Sequence, residues 1–122
     1  MTILLIDDSR PIRAILRLTL TRSGFTHVIE SSGGREGVET ARRQHPDLIV
    51  LDVLMPDMDG CRTLAALRAD ARTSDIPVVF LTGEESASEH ARLRSLGARD
   101  VLVKPFDPTQ IAERLQAAMA EV

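Results

Sequence analysis

Leu48-Ile49-Val50-Leu51-Asp52 is an apolar run that stops on a carboxylate, with no polar residue alternating along it. A strand with such a run is buried on both faces, as in a parallel sheet covered by helices on each side. Three other runs have the same form. Ile3-Leu4-Leu5-Ile6 stops at Asp7 and Asp8, Val78-Val79-Phe80-Leu81 at Thr82, and Val101-Leu102-Val103 at Lys104. Ligand sites in open parallel sheets lie outside the carboxyl ends of the strands. The runs therefore deliver three carboxylates, one hydroxyl and one ammonium to one edge. That set suits a divalent cation and a phosphoryl group.

Helical patterns separate the runs. Ser9 is a cap with Pro11 in the first turn, followed by Ile12, Ile15, Leu16 and Leu20 as a core stripe and Gly24 as the stop. His27-Val28-Ile29-Glu30 reads as a weaker strand nearer the sheet edge. Val38, Ala41 and His45 mark a second helix ending before Pro46, and Cys61, Leu64, Leu67 and Ala71 a third. Ala87, Ala91, Leu93 and Leu96 mark a fourth, ended by Gly97; its thin, alanine-rich face predicts loose anchoring. Asp107-Pro108-Thr109-Gln110 opens a fifth, with a stripe of Ile111, Leu115, Ala118, Met119 and Val122. Five strand–helix units imply right-handed crossovers and helices on both sheet faces. The expected fold is α/β: one doubly wound, five-stranded parallel sheet in the flavodoxin-like order 2-1-3-4-5, forming a single domain over residues 1–122.

Composition narrows the function. A net charge of -3 offers no overall basic surface for nucleic acid. No apolar stretch reaches membrane-spanning length, and residues 1–6 lack the charged start and cleavage site of a secretory signal. Cys61 is the single cysteine, so no internal disulfide or cysteine metal cluster forms; it is read as a small buried apolar residue in a reducing, cytoplasmic setting. The absence of Trp and Tyr disfavours an aromatic platform for single-stranded nucleic acid or flavin.

Each candidate has an ordinary reading as well. Asp7 and Asp8 are adjacent, so regular strand geometry would point them to opposite faces, and Asp is common in turns. Asp52 adds a third carboxylate to the same edge. Three ionised carboxylates repel one another, and a hard divalent ion such as Mg²⁺ relieves that repulsion. A carboxylate is also a competent nucleophile toward phosphorus. Asp59 reads as a helix cap, Gly60 as the residue that opens that helix, and Asp57 as solvent-exposed turn chemistry. The Thr82 hydroxyl has a hydrogen to donate to a phosphoryl oxygen. Lys104 ends a buried strand, where its charge needs either a partner or an exit to solvent. Pro105 after it permits a cis peptide bond.

Leu5-Ile6-Asp7-Asp8, Leu51-Asp52 through Met55-Pro56 to Met58-Asp59-Gly60, Leu81-Thr82-Gly83 and Val103-Lys104-Pro105-Phe106 stand in this order over nearly the whole chain. Together they resemble the receiver domain of two-component response regulators. The resemblance implies that Asp52 accepts a phosphoryl group from a phosphohistidine on a sensor histidine kinase or phosphotransfer protein. It implies that Asp8, Asp52 and the backbone carbonyl of Leu54 bind Mg²⁺, with Asp7 acting through water. It also implies that Thr82 and Lys104 hold the phosphoryl oxygens and move when phosphate arrives, controlling a downstream protein target or output domain. Such a protein assists its own phosphorylation and is not classed as an enzyme. One position departs from the pattern: many relatives carry an aromatic residue three places before the lysine, where this chain has Val101. Leu54 and Glu84 fall at positions that vary in the family and tune phosphate lifetime.

Three rivals remain. A flavin carrier on this fold needs a phosphate cradle after the first strand, where this chain has Asp7-Asp8-Ser9-Arg10-Pro11. A metal-dependent phosphatase with an aspartate nucleophile commonly carries a second acid two residues on, where Leu54 stands. A receiver used only for docking would not need Asp52, Thr82 and Lys104 together. The expectation is a stand-alone receiver, or one excised from a larger regulator, because the sequence ends with the fifth helix. Arg92, Asp100 and Arg114 are candidates for a partner surface, each with ordinary solvation as the alternative.

Overall fold

The computed structural model describes residues 1–120; Val122, expected on the last core stripe, lies outside them. The elements alternate throughout: β1 (Thr2–Ile6), α1 (Arg10–Arg22), β2 (His27–Ser31), α2 (Gly34–Gln44), β3 (Leu48–Asp52), α3 (Gly60–Ala69), β4 (Val78–Thr82), α4 (Ala87–Ser95), β5 (Asp100–Val103) and α5 (Pro108–Ala120). All strand pairs are parallel, and the sheet order is β2-β1-β3-β4-β5, as expected. The weak strand β2 is indeed at the edge.

The period of two along each strand divides the core into two layers. Leu4, Ile6, Ile49, Leu51, Val78, Phe80 and Val101 face Val38, Leu64, Leu67 and Leu93 of α2, α3 and α4. Ile3, Leu5, Leu48, Val50, Val79, Leu81 and Leu102 face Leu16 and Leu20 of α1 and Ile111 and Leu115 of α5. This double coverage is what the uninterrupted apolar runs required.

Several expected core positions are displaced. Ile15 is exposed: Ile12, Leu16 and Leu20 recur every four residues, and one residue earlier is about 100° around the helix. His45 lies off the stripe of α2 and is its C-cap in the left-handed region at φ 47, with its N–H donating to the Ala41 carbonyl. Ala71 falls beyond α3, where the Thr73 hydroxyl donates to the Leu67 carbonyl and closes the turn; Thr63 is buried on α3 instead. On α4, Ala87, Ala91 and Leu96 are all exposed and Leu93 is buried. Among the described residues α4 therefore buries one apolar side chain, an apolar face even thinner than the sequence suggests. Cys61 is half-buried against the α2–α3–α4 layer rather than enclosed.

Gly60 does more than open a helix. A Cβ there would lie 2.5 Å from the Asp52 carbonyl oxygen and 2.9 Å from Val53 Cα. Only glycine lets α3 start this close to the end of β3. Asp59 caps that helix as expected, accepting from the Arg62 N–H at 2.8 Å. The Lys104–Pro105 peptide bond is cis.

Candidate functional site

The sheet's carboxyl edge gathers the expected acids. Asp7 follows β1, and its N–H extends the ladder to the Ser31 carbonyl. Its Oδ1 accepts the Ser9 N–H at 2.8 Å, which turns the chain toward α1. That turn lets two adjacent carboxylates lean toward one place. Asp7, Asp8 and Asp52 each present an oxygen within 4.8 Å of the others. Asp7 is 1% and Asp52 5% exposed, whereas Asp8 opens to solvent.

Lys104 does not escape to solvent. Its backbone N–H donates to the Thr82 carbonyl at 2.8 Å, fixing the strand end. Its Nζ donates to Asp52 Oδ1 at 3.0 Å and lies 3.3 Å from Asp7 Oδ2. Burial pushes the Asp52 carboxyl above its ordinary range; the Lys104 hydrogen bond opposes this, and the Asp7 and Asp8 charges add to it. Burial alone would depress the Lys104 ammonium, but its bond to Asp52 and the charges of Asp52 and Asp7 outweigh that and raise it.

One ammonium set against three carboxylates leaves net negative charge at a largely buried place. Asp7 Oδ2 is buried and accepts no directed hydrogen bond, meeting Lys104 only as an ion pair. An acidic, oxygen-only donor set with an unspent buried lone pair fits a hard divalent cation.

Thr82 ends β4 and is buried. It is one residue beyond Leu81, whose Cα is paired with Asp52. Its Oγ1 accepts the Glu84 N–H at 3.1 Å, which leaves the hydroxyl hydrogen unspent by that contact. Leu54 sits in the loop between β3 and α3 and is 79% exposed. Val101 is buried, with its Cα paired to Phe80 across β4 and β5.

Asp57 does more than the exposed turn chemistry its sequence context suggests. Its two carboxylate oxygens accept the Gly34 N–H at 3.3 Å and the Arg35 N–H at 3.2 Å. It thus caps α2, whose own N-cap, Gly33, has no side chain to do so. Those backbone donors, the Arg35 N–H foremost, hold its carboxyl below the usual range. The loop after Asp52 is tied down by this bond. The one available signal was a Gly33-Gly34 helix start that lacked a capping side chain of its own.

The suggested partner surface is internally paired. Asp100 accepts from Arg114 at 2.7 Å and Arg94 at 3.0 Å, and Arg92 is bonded to Glu89. No helix among the described residues is long and apolar enough to cross a membrane.

The sequence matches the family described as response regulator receiver domain over residues 3–116. It is 38% identical over 120 residues to a probable transcriptional regulator, ycf27, of Porphyridium aerugineum, covering 98% of this chain and 48% of that protein. It is 37% identical over 119 residues to response regulator MprA of Mycobacterium leprae, covering 98% of this chain and 51% of that protein. The chain spans about half the length of these curated relatives. Among solved structures, chemotaxis response regulator CheY4 of Vibrio cholerae superposes with TM-score 0.88 at 33% identity, covering 96% of this chain and 97% of that one. A putative response regulator from Chloroflexus aurantiacus gives 0.91 at 29% identity, with 98% of each chain covered.

Proposed function

The chain belongs to the response regulator receiver domain family of two-component signalling, and on that premise we propose that Asp52 is its phosphoryl acceptor. The observation that carries this is the convergence of Asp7, Asp8 and Asp52 with Lys104 bonded to Asp52 Oδ1. Lys104 engages one oxygen of Asp52, which leaves Oδ2 as the attacking atom. In the reaction an Asp52 O–P bond forms as the donor's N–P bond breaks, and the electron pair returns to the donor imidazole. The displacement needs positioning and charge neutralisation more than covalent help. Lys104 is placed to follow the incoming oxygens, and Thr82 to donate its free hydroxyl hydrogen to one of them.

Asp8, Asp52 and the Leu54 carbonyl are the proposed inner ligands of Mg²⁺, with Asp7 acting through water. Mg²⁺ bound there would supply the positive charge that a phosphoryl group needs beside three carboxylates. The proposed donor is a sensor histidine kinase or phosphotransfer protein, and the readout a protein target or an output domain. Residues 1–122 act as one receiver unit in this reading. The family assignment and the exposed apolar Leu54 at the place of a second catalytic acid disfavour the phosphatase reading.

Incubation with acetyl phosphate and Mg²⁺, followed by intact-mass measurement, tests the proposal. Wild type is expected to gain one phosphoryl group; Asp52→Asn and chelated wild type are not. Equal labelling of Asp52→Asn would remove Asp52 as the acceptor.

A further inference from the structure

The loop between β4 and α4 is gripped at one residue from two directions. The Glu84 N–H donates to Thr82 Oγ1 at 3.1 Å, and the Glu84 carbonyl meets His90 Nε2 at 2.8 Å. A carbonyl can only accept, so Nε2 carries the hydrogen in this bond. A path of two hydrogen bonds therefore runs from a hydroxyl at the carboxyl edge, through the backbone of one residue, Glu84, whose N–H and C=O belong to its two flanking peptide groups, to an imidazole on α4. We infer that His90 is a positioning residue through which movement of Thr82 at the phosphorylation site is transmitted to α4.

The rest of α4 makes this link matter. Among the described residues the helix buries Leu93 alone, and its side-chain contacts to other elements include Arg92 to Cys61 Sγ at 3.7 Å and Arg94 to Asp100 at 3.0 Å. A helix with one apolar anchor is free to shift, and a directed bond at its N-terminal half sets where that half sits. Ser86, the N-cap, accepts the Glu89 N–H from within the same turn, so the cap moves with the helix rather than holding it to the sheet. Val101, at the place where many relatives carry an aromatic residue, is packed in the core. The bond to Glu84 uses a backbone atom, so it survives whatever side chain stands at 84. Both ends of the path are needed: Thr82 senses the phosphoryl oxygen and holds the Glu84 N–H, and His90 converts displacement of the Glu84 carbonyl into displacement of α4.

This inference rests on the proposed phosphorylation of Asp52, and the test separates the two. His90→Gln keeps an N–H donor on a flexible side chain, and His90→Met keeps bulk and helix propensity without a donor. Each is labelled with acetyl phosphate and Mg²⁺, and the amide resonances of residues 87–95 are followed by two-dimensional NMR. Both variants are expected to take label at the wild-type extent. On labelling, α4 amides of His90→Gln are expected to move as in wild type, and those of His90→Met by a third or less of that displacement. Equal α4 displacement in His90→Met and wild type would overturn the inference, as would His90→Gln behaving like His90→Met. If wild type itself takes no label, the proposed function fails and the inference falls with it.

Discussion

Lys104 Nζ stands between Asp52 Oδ1 at 3.0 Å and Asp7 Oδ2 at 3.3 Å, one ammonium shared by two buried carboxylates. The pairing is close but incomplete, because Asp8 adds a third charge and Asp7 Oδ2 accepts no hydrogen bond. Burial and the neighbouring acids raise the Asp52 carboxyl, so ionising it has a cost that can be measured.

Asp52→Asn is expected to stabilise the metal-free protein at pH 7. The Asp52 carboxyl is raised, chiefly by burial, so its stabilising contribution is complete below its ordinary value of 3.8 and is lost as pH rises through the raised value. Asparagine removes the ionisation and its cost. The gain is expected to be on the order of 1 kcal/mol at pH 7, the usual scale of one substitution, and to shrink as pH approaches 3.8. Paired melts across that range check it; a wild type that melts above the variant at pH 7 would contradict the sign.

Mg²⁺ should reverse that order. For a dissociation constant of about 1 mM, ~10 mM Mg²⁺ adds roughly 1.4 kcal/mol to the wild type. Asp8→Asn and Asp52→Asn should lose most of the gain. Thermal midpoints at constant ionic strength read it, and a midpoint indifferent to Mg²⁺ counts against the cation site.

Much of this site was legible in the chain because strand ends are marked by chemistry. The runs ending at Asp7-Asp8, Asp52, Thr82 and Lys104 fix which residues share an edge, and a parallel sheet admits few ways to arrange them. Ile15, Ala71 and Leu96 lie off the core; apolar spacing does not say where a helix stops or which of two neighbouring stripes turns inward. Asp57 looks like turn chemistry in the sequence because its partners, the Gly34 and Arg35 N–H groups, lie on another element and are brought near only by the fold. The link from Glu84 to His90 is short in sequence, but it uses a backbone carbonyl that carries no sequence signature.

Gly60→Ala is expected to damage the site from outside it. The new methyl would press on the Asp52 carbonyl and Val53 Cα, both backbone, which yield less easily than a side-chain tip. A loss of about 1–3 kcal/mol is typical of such overpacking. Slower labelling should accompany the loss of stability in urea melts; unchanged labelling would mean the β3 end relaxes without moving Asp52.

Asp57→Ala should cost about 1 kcal/mol by uncapping α2. Amide hydrogen exchange is expected to rise first at Gly34 and Arg35, whose N–H groups lose their acceptor. Protection that stays unchanged at both would show that water replaces the carboxylate without loss.

Lys104→Ala removes the resident ammonium. The buried acids then depend on an added cation, so the metal-free variant is expected to lose about 1–3 kcal/mol while its Mg²⁺ affinity rises. Calorimetric titration reads the affinity; a weaker Mg²⁺ site in the variant would show that Lys104 supports the cation rather than competing with it.

The most direct test locates the phosphoryl bond itself. An aspartyl phosphate is reduced by borohydride to homoserine, and tandem mass spectrometry of the digested, labelled protein assigns its position. Homoserine at position 52, absent without Mg²⁺, is the expected result. Homoserine at position 7, 8 or elsewhere, or none in a protein that has gained phosphoryl mass, would contradict the account.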